Sequence, residues 1–332
     1  MEYVKISGTD IRCSRIGLGC WAIGGWLWGG SDERESMDTI LSAFGRGINL
    51  IDSAAVYGFG RSEGIVGKAL AEHGQRDKVV IATKAGLDWT TGKVYRNSTR
   101  GRIMKEVEDS LERLRTDYID VYQIHWPDYD TPVEEAAEAM NDLYKAGKIR
   151  AIGVSNYSVG QMDAFRRIAP LHISQPPYNL FERAIEGDIF PYCDSNGITV
   201  LLYGAICRGL LSGRMNGDTK FEGDDIRKAD PKFREPRFGE YLKAVEKLDA
   251  YARSKYGKRV IHLAIRWMLD RAPNHIALWG ARRPDQLDPI PELTGWSLDK
   301  DDFQAIDKIL AETIKDPMGP EFMAPPEHRP RV

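Results

Sequence analysis

The sequence predicts a closed (β/α)8 barrel, and three observations carry that expectation. Short apolar strands alternate with amphipathic helices from residue 15 onward, the alternation reaches eight strands, and no Pro- or Ser-rich linker divides the chain. Repeated βα units require a parallel sheet with helices outside it, and eight of them on 332 residues favour a barrel, with a doubly wound open sheet as the alternative. Residues 1–332 are accordingly expected to form one domain, with an N-terminal hairpin and a long loop after the seventh strand.

Each element has its own reason. Residues 4–11 alternate around the turn formers Ser7, Gly8, Thr9 and Asp10, which reads as a hairpin ahead of the main fold. Residues 15–19 are the first core strand, and 31–46 a helix with Met37, Ile40, Leu41 and Phe44 on one face. The strand at 47–51 is followed by a helix over 62–73, which Gly74 can cap. Strand 78–83 leads to a helix over 99–115 that carries Ile103, Val107, Leu111 and Leu114 on its face. After strand 118–124 the spacing predicts a helix with Thr131 as N-cap, Pro132 at its first position and Gly147 beyond its end. Strand 150–154, helix 158–168, strand 172–175, helix 182–195 and strand 198–203 follow.

The rhythm then breaks. Residues 211–238 scatter Gly213, Gly217, Gly223, Pro231 and Pro236 among many charges, which is the composition of a lid or of a disordered segment. Helices over 237–256 and 259–270, a last strand at 276–279 and a helix over 297–310 complete the pattern. A proline-rich tail follows, read as a closure over the site or as a disordered end.

Composition excludes several function classes. The 42% hydrophobic content suffices for a large core, and the formal charge of -3 offers no strongly basic field for nucleic acid or an anionic membrane surface. The first residues have no apolar signal core and no run approaches the ~18 apolar residues of a membrane span, so a cytoplasmic protein is expected. Cys13, Cys20, Cys193 and Cys207 show no CxxC spacing and the six histidines no HExxH pair, so neither disulfides nor a metal are expected. Residues 17–22, GLGCWA, match a dinucleotide-binding pattern, with Asp38 about twenty residues on. The third position of that motif must open a helix, and here Gly24, Gly25, Gly29 and Gly30 follow instead, so a Rossmann phosphate loop is rejected.

The chemistry lies at strand ends. Asp52 and Tyr57 stand where the second strand opens into a loop, Lys84 closes the third, and His125 closes the fourth. Singly, an Asp and a Tyr more often cap a turn and fill a loop. Four such groups converge only if the strands lie side by side and parallel, as in a barrel, where functional groups sit at the C-terminal strand ends. A phenol of pKa ~10 can deliver a proton near neutral pH. A neighbouring ammonium is expected to lower that pKa, which gives Lys84 a role and Asp52 the task of holding Lys84 charged and aimed. His125 can direct a ring N–H at a substrate oxygen. The set suits protonation of a carbonyl while a hydride arrives from elsewhere; acyl transfer is disfavoured because no serine or cysteine is tied to a base.

The ordered segments 52–57 (DSAAVY), 79–84 (VVIATK), 122–128 (YQIHWPD) and 153–157 (GVSNY) resemble the aldo-keto reductases, and the resemblance spans residues 15 to 290. It implies that Asp52, Tyr57, Lys84 and His125 are the catalytic tetrad and that a nicotinamide cofactor lies extended across the barrel mouth. It further implies that Ser155, Asn156 and Gln175 hold the carboxamide and that Tyr203 stacks under the nicotinamide ring. Gly204, Ala205, Cys207, Arg208, Gly209 and Leu210 would then present backbone N–H groups to the pyrophosphate, with the Arg208 charge added.

Gly280, Arg282, Arg283 and Gln286 would receive the adenosine end, and two arginines there suit a 2′-phosphate, so NADPH is expected over NADH. Many relatives read IPKS where this chain reads LWGA, and Gln286 replaces a later arginine of that pattern. The segments YGAICRGLLSG and GARRPDQL resemble a bacterial branch with general-stress, inositol-utilisation and glyceraldehyde or glycerol oxidoreductases, which implies small hydroxyaldehydes as substrates.

Trp21, Trp26, Trp28, Trp89, Trp126 and Trp279 fall in or beside strand-to-helix loops, which suggests an aromatic pocket for a small carbonyl compound. Two other readings stand beside the reductase. A nicotinamide-binding regulatory or sensor subunit would share the architecture with little turnover. A barrel isomerase or aldolase would need a Gly-rich phosphate cup at the last two strands, which is missing.

Overall fold

Side chains alternate in and out along a strand, so each barrel strand spends its inward positions on only two or three residues. The computed structural model describes residues 1–329. Its eight barrel strands are β1 (Ile16–Gly19), β2 (Leu50–Asp52), β3 (Val80–Ala85), β4 (Val121–Ile124), β5 (Ile152–Ser155), β6 (Ile173–Gln175), β7 (Thr199–Leu202) and β8 (His275–Gly280). They pair in parallel in chain order, and β8 returns to β1 to close the ring.

The register stacks the interior in layers. Leu50, Val80, Val121, Ala151, Ile173, Leu201, Ile276 and Leu278 fill the lower barrel as one apolar cluster. Beneath them the antiparallel hairpin of Tyr3–Lys5 with Arg12–Ser14 brings Ile6, Ile11 and Cys13 into the same cluster and stoppers the N-terminal end. One inward position further along each strand the layer turns polar: Asp52 pairs with Ala82, Lys84 with Gln123, Gln123 with Gly153, and Ser155 with Gln175.

The outward residues Leu18, Ile51, Ile81, Ile124, Ile152 and Val154 pack under the helices. Those helices are α1 (Glu33–Gly45), α2 (Arg61–His73), α3 (Arg100–Leu114), α4 (Val133–Lys145), α5 (Val159–Arg166), α6 (Ile189–Ser195), α7 (Arg237–Tyr256), α8 (Val260–Leu269) and α9 (Lys300–Thr313). Helices α2 and α3 approach so closely that a Cβ on Gly67 would stand 2.3 Å from the Arg113 carbonyl oxygen.

Two stretches depart from the sequence reading, and a third takes a form that the sequence left open. The helix expected over 182–195 begins only at Ile189, capped by Asp188, because Glu182 is drawn into a buried ion cluster. Thr131 is not the N-cap of α4: its hydroxyl donates to Asp128 Oδ2 at 2.7 Å and Pro132 takes the cap position. The segment 211–238 crosses the barrel mouth in short turns, Ile226–Lys228 and Pro231–Phe233. Asp224 accepts the backbone N–H groups of Leu27 and Gly29 at 2.8 and 2.9 Å, and the Ile226 N–H donates to the Leu27 carbonyl at 2.9 Å.

The tail is a strap. After the turn Glu321–Met323, Pro325 accepts two bonds from the Arg96 guanidinium at 3.2 and 3.0 Å, and Arg329 pairs with Asp128 at 2.8 Å. Among the described residues no helix is long and apolar enough to cross a membrane, and no cluster of His, Cys, Asp or Glu has the arrangement of a metal site.

Candidate active site

The polar layer of the barrel is centred on one ion pair. Lys84 Nζ lies 2.7 Å from Asp52 Oδ2, with the side chains 0% and 4% exposed. Two charges so deeply buried persist only if their remaining hydrogen-bonding capacity is also met. Lys84 Nζ donates a second bond to the Ser53 carbonyl at 2.8 Å, and the other Asp52 oxygen accepts from Gln175 Nε2 at 2.8 Å. Gln123, which the sequence reading did not single out, approaches the same oxygen at 3.5 Å. The period-two rule could have found it: Gln123 lies two residues before His125, and Gly153 makes room, since a Cβ there would meet Gln123 Cγ at 2.7 Å.

Tyr57 and His125 lie above the pair. Lys84 Nζ is 5.2 Å from the centre of the Tyr57 ring, His125 meets that ring edge to face at 5.6 Å, and Trp21 stacks on it at 5.9 Å. The four residues at three strand ends are therefore brought together as expected. The expected direction of the Tyr57 pKa is corrected. Burial pushes the phenol well above its ordinary value, and the charge of Asp52 adds to the rise, while the Lys84 ammonium is engaged by Asp52 and Ser53. Tyr57 is thus held protonated. Burial first, then the Lys84 charge, push His125 well below the ordinary imidazole value, so its ring is neutral at physiological pH.

Two cavities meet at this point. A cleft runs from Tyr57 past Gly204 and Gly209 to Gly280, Arg282 and Gln286. A chamber is walled by Trp26, Val56, Leu87, His125 and Trp126, with Ser155, Asn156 and Gln175 on one side. Trp21, Tyr57, Tyr203 and Met323 line both. Asn156, at φ +62, donates to the His125 carbonyl at 3.0 Å and accepts the Tyr203 hydroxyl at 2.9 Å, which ties the residues read as the carboxamide and ring holders into one wall.

The cleft suits an extended dinucleotide. The indole N–H groups of Trp21 and Trp28, both on its wall, are buried without an acceptor among the described residues. Arg227 and Arg282 face it, and the Arg282 pKa is lowered by burial and then by the like charges of Arg227 and Arg283, a combination that an anion would relieve.

Several expected contacts are placed elsewhere. Cys207 and Leu210 are fully buried and absent from the cleft wall, and the Cys207 N–H already donates to the Gly204 carbonyl at 2.7 Å; Ile206 lines the cleft in their stead. Arg208 reaches the cleft, but its guanidinium is clamped between Glu182 and Asp230. Arg283 pairs with Asp285 at 3.2 Å away from the wall, while Gln286 spends its side-chain oxygen on the N–H groups of Arg282 and Arg283. Trp89 backs the chamber from behind, packed at a tilt against Phe59, and Trp279 is buried with its indole N–H on the Gln286 carbonyl at 3.1 Å. Met323, Pro325 and Pro326 of the tail, and Ile226 of the excursion, line the chamber. The sequence left both segments open between a cover over the site and disorder, and named none of these four residues.

The model of the Aldo/keto reductase family matches residues 15–311. The chain belongs to that family. Aldo-keto reductase YhdN of Bacillus subtilis (strain 168) is 60% identical over 326 residues, 98% of either chain. An NADH-specific methylglyoxal reductase of Escherichia coli (strain K12) is 36% identical over 304 residues, 86% of this chain and 91% of that one. Among solved structures, the glycerol dehydrogenase AKR11B4 from Gluconobacter oxydans matches at a TM-score of 0.88 and 52% identity, over 97% of this chain and 99% of that one. This aldo/keto reductase is therefore an NAD(P)H-dependent oxidoreductase acting on small carbonyl compounds. The findings lend no support to a regulatory subunit.

Removing Lys84 from this aldo/keto reductase would strand Asp52 in the barrel. Lys84→Met is expected to lower unfolding free energy at neutral pH by about 3 kcal/mol in urea titration, the scale for breaking a buried pair from one side. A loss below about 1 kcal/mol would show that the pair is not the interior constraint described.

Proposed function

We propose that the protein reduces small aldehydes, glyceraldehyde among them, to alcohols with NADPH, Tyr57 being the general acid, and that residues 1–332 act as one domain. The observation that carries the reading is the position of a buried, protonated Tyr57 at the junction of cleft and chamber, with an ammonium beneath it and a neutral imidazole beside it.

The cofactor, when bound, supplies the hydride; the chain supplies the proton and the alignment. A carbonyl oxygen entering the chamber meets a His125 ring N–H and the Tyr57 hydroxyl. As negative charge grows on that oxygen, Tyr57 Oη releases its proton to it, and the Lys84 ammonium stabilises the phenolate left behind. Asp52 acts through Lys84, fixing its position. Trp21, stacked on Tyr57, holds the phenol ring in place, and the aromatic and aliphatic chamber wall excludes water from the reacting oxygen. Asn156 and Ser155, joined by a 3.0 Å hydrogen bond, offer polar groups to the carboxamide, and Gln175, whose Nε2 is bonded to Asp52, keeps its side-chain oxygen for it.

The preference for NADPH is supported by Arg282, whose guanidinium has no carboxylate ion-pair partner among the described residues and donates there only to the carbonyls of Trp28 and Gly30 at 2.7 and 2.8 Å. Glyceraldehyde is supported by the relative named a glycerol dehydrogenase, which would run the same chemistry in the opposite direction. All four cysteines are buried free thiols, which suits a reduced, cytoplasmic setting.

Loss of reduced-cofactor absorbance with glyceraldehyde at neutral pH is expected to be at least about tenfold more efficient with NADPH than with NADH, the scale of one added charge-assisted phosphate contact. Equal or reversed efficiency would remove the cofactor preference, and no turnover with either would remove the substrate. Tyr57→Phe is expected to lower turnover by ~10²–10⁴ while leaving NADPH affinity unchanged. A variant that retains turnover would take the proton-donor role from Tyr57.

A further inference from the structure

The cofactor cleft rests on a buried quartet of charges that joins four separate parts of the chain. Arg208, in the loop after β7, donates to Glu182 and, through Nε, to Asp230 Oδ2 at 2.7 Å. Lys232 Nζ lies 2.8 Å from Glu182 Oε1 and 3.6 Å from Asp230 Oδ1, and donates to the Gly319 carbonyl of the tail at 2.9 Å. Side-chain exposure is 3% for Arg208, 2% for Glu182 and 0% for Asp230 and Lys232. Asn179 completes the cluster, bonding Glu182 at 2.7 Å and the Gly204 carbonyl at 3.0 Å. A wholly buried lysine in a charged, glycine-rich excursion needs a reason, since ordering such a side chain away from water is costly.

Charge supplies that reason. Arg208 with Glu182 and Asp230 alone would be a triad of net charge -1 set in the wall of the cleft, directly under residues 204–209. At low dielectric such a charge repels an anion strongly, and a dinucleotide brings two phosphates. Lys232 brings the quartet to neutrality. It also fixes a loop in which Cys207, Arg208 and Gly209 all have positive φ, at 44°, 52° and 92°, a conformation that side-chain-bearing residues resist.

We propose that Lys232 is a positioning residue of the cofactor cleft: it cancels the excess carboxylate charge around Arg208 and so lets the loop after β7 accept a pyrophosphate. The inference rests on the reading that the pyrophosphate lies over the cleft-facing residues of this loop, Gly204, Ala205, Ile206 and Gly209. Its consequence is that cofactor affinity follows the net charge of the quartet, whichever member is changed.

Direct titration of NADPH fluorescence on the full chain, with folding checked by circular dichroism, tests this. Lys232→Met, at net charge -1, is expected to weaken binding by about tenfold, and Glu182→Gln, at +1, to leave it equal or tighter. The double variant, neutral again, is expected to return to within about threefold of the wild type. A purely structural role would weaken all three, the double variant most, and that result overturns the proposal, as does unchanged affinity in Lys232→Met. Should Lys232→Met not fold, Glu182→Gln decides alone, because weaker binding there contradicts the charge account. Arg208→Gln separates the two readings: if it leaves affinity unchanged, the pyrophosphate is not over this loop, whereas a loss there with Lys232→Met unaffected overturns the quartet alone.

Discussion

The ion pair of Lys84 and Asp52 is the constraint around which the molecule is arranged. Moving both charges out of water carries a desolvation penalty of several kcal/mol per ion, and only close contact and full hydrogen bonding offset it. The barrel meets that demand by register. Asp52 on β2 stands opposite Ala82, Lys84 is the next inward residue along β3, and Ser53, Gln175 and Gln123 fill the positions around them. Below, an apolar layer closed by the N-terminal hairpin excludes water; above, the ammonium sets the electrostatics of the mouth. Burial first and then this ammonium keep His125 neutral, and in the proposed reaction the ammonium lies under Tyr57 to meet the charge left when the phenol gives up its proton.

A rigid barrel leaves the choice of ligand to the segments laid across it. The glycine- and tryptophan-rich loop after β1, the excursion after β7 and the C-terminal strap all meet over one point, where Trp21, Tyr57, Tyr203 and Met323 separate cleft from chamber. These segments are held mostly by hydrogen bonds and ion pairs near solvent, such as Asp224 to Leu27 and Gly29, and Arg329 to Asp128. Contacts of that kind open at lower free energy than a packed core does. The two buried charge clusters divide the labour accordingly. Lys84 and Asp52 lie beneath Tyr57 at the junction, and the quartet around Arg208 ties the excursion and the tail to the loop after β7.

Much of this was legible in the sequence, for identifiable reasons. Strands and helices announced themselves by period, and a parallel barrel has only one end at which strand-terminal groups can gather, so Asp52, Tyr57, Lys84 and His125 were legible as a group from their positions alone. What failed depended on contacts between distant segments. Arg208 in a glycine-rich loop reads as a free cation, and nothing local reveals that Glu182 and Asp230 enclose it. Trp279 reads as a rim residue because it ends a strand, yet its side chain takes the outward phase and is buried against the helices. The direction of the Tyr57 pKa was misjudged because proximity of a lysine is visible in sequence order while depth of burial is not. The tail stayed open between closure over the site and a disordered end, since its prolines set no period.

The central claim is that a hydride and a proton reach one carbonyl from two sides at the junction of cleft and chamber. Reduction of glyceraldehyde with NADPH deuterated at the transferring position of the nicotinamide C4, in ordinary water, tests it most directly, with the alcohol product analysed by mass spectrometry and NMR. The account predicts one deuterium on the carbinol carbon of every product molecule and none exchanged with solvent. Solvent hydrogen at that carbon, or product formed without consumption of the cofactor, would contradict it.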